Sequence, residues 1–195
     1  MSYPDSITAD FSARQVADSV TPLLAQRWSP RAFKKTAIAD QDINTLFEAA
    51  RVAPSCFNAQ PWRFYVSTDS SFDQYLSLLL EGNQIWAKNA SLLCFVVAKK
   101  TFEHNGKANP YADFDAGAAW MSLALQARQM GLYTHAMGGI KHQEIAEYLQ
   151  LSDDYKVICG IAIGVADTAD TLPEDIAAKE KPSARLPLEV ILQRK

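Results

Sequence analysis

Three cysteines in 195 residues, Cys56, Cys94 and Cys159, are odd in number and widely separated. None belongs to a Cys-x-x-Cys pair, so there is no disulfide framework, and the pattern fits a reducing cytoplasm. Long hydrophobic runs are missing as well. The longest, Leu92 to Ala98, falls far short of the roughly 20 residues that a bilayer-spanning helix needs. The opening Met-Ser-Tyr-Pro-Asp-Ser-Ile carries no basic-then-apolar leader pattern. His104, His135 and His142 have no metal-ligand spacing and no neighbouring Cys or carboxylate cluster, so no metal is expected. No Gly-x-Gly-x-x-Gly follows a strand pattern; Gly160-x-x-x-Gly164 has the wrong spacing and reads as tight strand packing. Surplus positive charge is also absent. With 19 basic and 22 acidic residues the net charge is −3, which argues against nucleic acid as the main partner while leaving room for a local basic pocket.

What remains is the profile of a soluble cytoplasmic protein with no membrane association and one domain, preceded by a short arm over residues 1–12. Hydrophobic residues make up 48% of the chain, enough for a sizeable core. The spacing predicts a helix over 13–26, with Val16, Val20 and Leu23/Leu24 on one stripe and Pro22 as a kink or a second start. A second helix is expected after an N-cap at Asp40, with Ile43, Leu46, Phe47 and Ala50 inward. Strand 62–67, an amphipathic helix from about Ser71, a turn containing Asn83 and a buried strand 91–98 follow. Pro110 can open the longest helix, roughly 111–130, with Gly131 as its C′ residue. A strand at 132–137, a helix near 142–150 and a strand near 156–164 complete the pattern. About four strands without strict alternation with helices indicate an α+β fold. The Pro-containing tail, 169–195, is longer than a compact domain needs for itself and suits docking on a partner subunit.

Two loops carry the chemistry. Arg27-Trp28-Ser29-Pro30-Arg31-Ala32-Phe33 sets two guanidinium groups around a hydroxyl, a combination that can grip a phosphate. Arg185 is a further, sequence-distant cation. The stretch Ala53 to Phe64 combines Ser55, Asn58 and Gln60, which donate and accept hydrogen bonds, with Cys56, Phe57 and Trp62 as apolar surface. It is framed by Pro54 and Pro61. A flat ligand with polar edges wants that mixture. Cys56 is read as a small packing residue rather than a nucleophile, and Trp62/Phe64 as core strand.

These motifs resemble the nitroreductase family of FMN-dependent oxidoreductases over roughly residues 20 to 192. Arg27-x-Ser29-x-Arg31-x-Phe33 is similar to the family's first FMN loop, and Pro54-Ser55-Cys56-x-Asn58-x-Gln60-Pro61-Trp62-x-Phe64 to its second. Asp115-Ala-Gly117, Gly131-Leu132, Gly138-Gly139 and Arg185 before Pro187-Leu188-Glu189 follow in the family's order. The resemblance implies a three-layer fold with a central mixed or antiparallel sheet flanked by helices, as an intertwined homodimer whose FMN-binding domain spans 13–195. It places Arg27, Ser29 and Arg185 at the FMN phosphate and ribityl chain, Trp28 beside them, and Arg31 near the flavin pyrimidine edge. Pro54, Ser55, Cys56 and Asn58 would reach in from the other subunit. Asn83 would contact the flavin, and Ala136, Met137, Gly138 and Gly139 would pass along its ring with a backbone N–H toward N5.

The implied activity is a ping-pong transfer of hydride from NADH or NADPH to flavin N5 and on to a small oxidant such as a nitroaromatic or quinone. With the chemistry on the flavin, no single catalytic side chain is named. Two positions depart from the family: Trp86 stands where many members have a basic residue, and Gly138 where they have an acidic one. The alternatives are a flavin-binding redox sensor or storage protein, and a reductive dehalogenase or flavin-fragmenting relative.

Overall fold

Alternate side chains of one strand divide the interior in two. On β3 (Leu92–Lys99), Leu93 and Phe95 enter one apolar cluster, while Leu92, Cys94 and Val96 enter another on the opposite face. The computed structural model describes residues 3–5 and 7–195. Both faces of the central sheet are covered, which makes three layers.

The sheet contains β1 (Phe33–Lys34), β2 (Trp62–Val66), β3, β4 (Tyr133–Met137) and β5 (Tyr155–Ala166). All of its pairings are antiparallel: β1, β3 and β4 pair with β5, and β2 pairs with β3. Residues 160–163 of β5 are held on both edges, by β3 and by β4. A register shift at Val96/Val97, which face Cys159 and Val157, bulges β5 at its start.

One face is covered by α2 (Asp40–Arg51) and α5 (Ala112–Gln129). Leu46 and Ala50 are fully buried there beside Ala119, Leu123 and Ala127, and the small alanine side chains let the two helices come close. Ile43 and Phe47 pack at the margin, as the apolar stripe predicts. The helix begins with Ala39 as N-cap rather than Asp40. Asp40 and Asp42 instead lie in the first turn, where carboxylates favour the helix dipole. The other face is covered by α3 (Phe72–Ser77), α4 (Glu81–Ala87) and α6 (His142–Tyr148) through Phe72, Tyr75, Trp86 and Ile145. The amphipathic helix expected from about Ser71 ends at Ser77. Leu79 is buried by a β-bridge to Ile140, and Leu80 turns outward.

The helix expected over 13–26 does not form. A 3-10 turn at Ser12–Arg14 ends on Gln15 in the left-handed region, and α1 (Pro22–Ala25) starts afresh with Pro22 in its first turn. Val16, Val20 and Leu24 are exposed, so their helical spacing has no core within this chain to face.

Part of the amino-terminal arm and the first part of the tail pack on the core. Tyr3 donates its N–H to the Met130 carbonyl at 2.7 Å and its hydroxyl to Asp42 at 2.7 Å. Asp5 accepts from Arg128 and from the Tyr133 hydroxyl, and Ile7, Ala9 and Phe11 lie against the core cluster of β4. In the tail, Leu172 and the partly buried Ile176 and Ala177 of α7 (Glu174–Ala177) pack on the same cluster. Beyond them Leu186 and α8 (Leu188–Ile191) leave their apolar side chains exposed. Among the described residues no helix is long and apolar enough to cross a membrane.

Gly131 ends α5 at φ +84°, with Leu132 N–H bonded to the Ala127 carbonyl and Gly131 N–H to that of Arg128. A Cβ at this position would stand 2.0 Å from the Tyr3 carbonyl oxygen. Gly131→Ala is expected to destabilise the protein by about 1–2 kcal/mol from the left-handed backbone alone, with a further loss from displacing Tyr3. Urea unfolding of the variant, with and without residues 1–5, separates the two contributions; equal penalties in both backgrounds would exclude the steric one.

Candidate functional site

Arg27, Trp28, Ser29 and Arg31 leave α1 and run into β1, whose two residues are anchored on Ala166 and Val165 of β5. Phe33 is buried and stacked 6.2 Å from Trp86, which fixes the end of the loop in the core. The tail adds the other wall. Glu180 accepts the N–H groups of Arg31 and Ala32 at 2.6 and 2.8 Å, and its second oxygen lies 4.0 Å from the Arg31 guanidinium. One carboxylate therefore pins the segment 179–185 across the loop, and Arg185 comes to lie near Arg27.

The result is a pocket of about 370 Å³ lined by six cations, Arg14, Arg27, Arg31, Lys179, Lys181 and Arg185, with Ser29, Ser183 and His135. Among the described residues no carboxylate lines it. Burial, then proximity to Arg185, holds the Arg27 guanidinium below its ordinary pKa. Arg14 is lowered by burial and by the charges of Arg185 and Arg27. Three guanidinium groups thus repel one another, an arrangement that an anion relieves. Arg27 also donates to the Ser29 hydroxyl at 3.3 Å, so hydroxyl and guanidinium can share one ligand oxygen. The donor set suits a phosphate monoester: fork-shaped donors, a hydroxyl and no competing carboxylate.

Arg27, Ser29, Arg31 and Arg185, grouped from the sequence, all line this one pocket. Sequence reasoning missed Arg14, Lys179, Lys181 and His135. His135 on β4 shares a hydrogen bond with the Pro30 carbonyl at 2.9 Å and packs 4.7 Å from Trp86. Burial, with Arg31 and Arg27 adding to it, pushes its pKa down to about 4, so it stays neutral at pH 7. Trp28 turns its indole into the core, edge-on to Tyr133 at 6.5 Å.

Ala136, Met137, Gly138 and Gly139 continue β4 beyond His135. Met137 is buried, Gly138 is exposed with nothing within 4 Å of a hypothetical Cβ, and the Gly139 carbonyl accepts from Leu80 N–H and from Asn83 Nδ2 at 2.9 Å. Asn83 therefore fixes the end of β4, and a Cβ on Gly139 would press within 2.6 Å of it. Trp86 is only 1% exposed and belongs to the core rather than to a ligand surface.

Pro54, Ser55, Cys56 and Asn58 form a separate structure. None of them lines the cationic pocket of its own chain. The loop holds Phe57, Asn58 and Gln60 at positive φ, 53°, 54° and 45°, a backbone that bulky side chains adopt only when it is fixed from outside. The fixing contacts are Cys56 N–H to the buried Asp115 carboxylate at 3.1 Å and Gln60 N–H to the Ser55 hydroxyl at 3.0 Å. Phe57 stands 80% exposed beside Phe102 and His104, at ring separations of 5.8 and 5.9 Å.

The nitroreductase family model matches residues 24–82 and 74–165. A solved structure described as the oxidoreductase containing FMN is 43% identical, superposes with a TM-score of 0.89 and shares 96% coverage of both chains. The 4-nitrobenzoate reductase of Pseudomonas putida is 25% identical over 204 residues, spanning 80% of this chain and 89% of that one. The oxygen-insensitive NADPH nitroreductase of Helicobacter acinonychis is 25% identical over 178 residues, 73% and 85% of the respective chains. With its three-layer antiparallel sheet and most of its length matched, this chain belongs to the nitroreductase family.

Proposed function

We propose that the protein is a homodimeric, FMN-dependent NAD(P)H oxidoreductase acting by a ping-pong cycle on small oxidants such as nitroaromatics or quinones. The observation that carries this reading is the carboxylate-free arginine pocket, built from four separate segments in a chain of the nitroreductase family. FMN, when bound, supplies a two-electron carrier that takes hydride from the nicotinamide and passes it to the oxidant.

The protein's part is binding, orientation and field. Arg27, Ser29 and Arg185 would hold the phosphate, with Trp28 supporting them from the core side. Arg31, fixed through its N–H by Glu180, would offer a cation to the ring edge. Ala136 to Gly139 would face the ring. The exposed backbone at Gly138 leaves that surface open to a second substrate, and Asn83 keeps Gly139 in place. His135, neutral, adds no charge to the cluster.

Pro54, Ser55, Cys56 and Asn58 stand apart from their own chain's pocket, which supports their serving the partner's site. The exposed side chains of Val52, Phe57, Phe114, Leu186, Leu188 and Ile191 fit a second copy as the cover.

Arg27→Ala combined with Arg185→Ala is expected to abolish co-purification of FMN, read by absorbance of the released flavin; full retention would sink the phosphate assignment. Anaerobic mixing of the yellow protein with NADH or NADPH should bleach the flavin, and a nitroaromatic or quinone should restore it. Absence of bleaching with both nucleotides would favour a flavin-binding redox sensor instead. A variant forced to be monomeric should be folded and colourless, and a yellow monomer in sedimentation would count against a shared site.

A further inference from the structure

Arg14 is only 7% exposed. Among the described residues no carboxylate pairs with it. One terminal nitrogen donates to the carbonyl oxygens of Ala25 and Arg27, both at 2.7 Å, which stitches the 3-10 turn to the loop that follows α1. The guanidinium carbon lies 5.0 Å from the centre of the Phe11 ring. The Nε–H is buried and makes no hydrogen bond among the described residues. Two backbone carbonyls account for one nitrogen of the fork; they account for neither the net charge nor the Nε donor. A buried guanidinium with donors to spare, close to Arg27 and Arg185, costs free energy until an anion arrives.

We infer that Arg14 is a third arginine of the anion site, completing with Arg27 and Arg185 a cage for the cofactor phosphate. The assignment rests on the FMN reading above. Arg14 lies before the first residue that the family model matches, Leu24, so this cation comes from the amino-terminal segment rather than from the matched region. Arg14, Arg27 and Arg185 together also separate the cationic pocket from a neighbouring apolar one of about 260 Å³ lined by Val16, Val20, Leu24 and Met121.

The test compares FMN with riboflavin, which has the same ring and ribityl chain without the phosphate. Apoprotein from wild type, Arg14→Gln and Arg14→Lys is titrated with each, following quenching of flavin fluorescence. Gln keeps an amide donor on a shorter stem and carries no charge. Arg14→Gln should weaken FMN about ten- to a hundredfold and change riboflavin by less than about twofold. Arg14→Lys, a point charge without the fork, should lower the FMN-to-riboflavin preference by a smaller factor, about threefold.

An unchanged preference in either variant, or an equal loss for both ligands, overturns the assignment and leaves Arg14 a structural residue. Should Arg14→Gln fail to fold, Arg14→Lys decides by the same ratio. Wild-type apoprotein that binds neither flavin defeats the cofactor reading and Arg14 with it. Wild type that prefers FMN alongside unaffected variants defeats only the Arg14 inference.

Discussion

The double pairing of β5 is the constraint on which the rest of the molecule depends. Over residues 160–163 this strand is hydrogen-bonded on both edges, and further along it holds the two residues of β1. Its neighbours therefore carry the groups of the candidate site in fixed register. His135 and the Ala136–Gly139 segment follow from β4, and the arginine loop is the chain that leads into β1. Close packing enforces the arrangement. A Cβ on Gly160 would come within 3.2 Å of Ile140, and one on Gly164 within 3.1 Å of Phe33. Larger side chains at either position would push away the segments that carry the site.

Charge is the second organising term, and it acts against the fold until a ligand is present. The chain is net acidic, yet six cations meet at one pocket. Glu180 accepts two backbone N–H groups with one oxygen and lies 4.0 Å from the Arg31 guanidinium with the other, so it orients the loop and offsets only one of the six charges. A site of this kind trades stability of the empty protein for affinity.

Much of this was legible in the sequence where local pattern and tertiary role agree. The stripe Ile43, Leu46, Phe47, Ala50, the continuous apolar run of β3 and the Gly131 stop are encoded by neighbours a few residues away. The run Val16, Val20, Leu24 misled because its helical spacing has no buried face within the chain. β1 was invisible because two residues carry no period and exist as a strand only through β5. Arg14 and His135 were missed for a related reason. An arginine in a polar stretch reads as solvated and a histidine in a strand as structural; only the approach of the tail and of the arginine loop brings both to the pocket. Arg27, Ser29, Arg31 and Arg185 could be gathered because their order along the chain resembles a known pattern. Asp115, quoted in the sequence only as the start of a motif, turns out to clamp the Cys56 N–H.

That clamp has a mechanical side. Asp115 lies near one end of α5, and the other end is tied to the amino-terminal arm through Met130 and Tyr3. The helix between them is a strut of roughly 21 Å from Asp115 to Gln129, at 1.5 Å per residue. A tilt of about 3° at the tied end would carry Asp115 through about 1 Å over that length. Three departures from right-handed backbone within four residues, at Phe57, Asn58 and Gln60, leave the clamped loop little slack to absorb such a movement. The amino-terminal arm and the loop that carries Phe57 are thus braced on opposite ends of one helix.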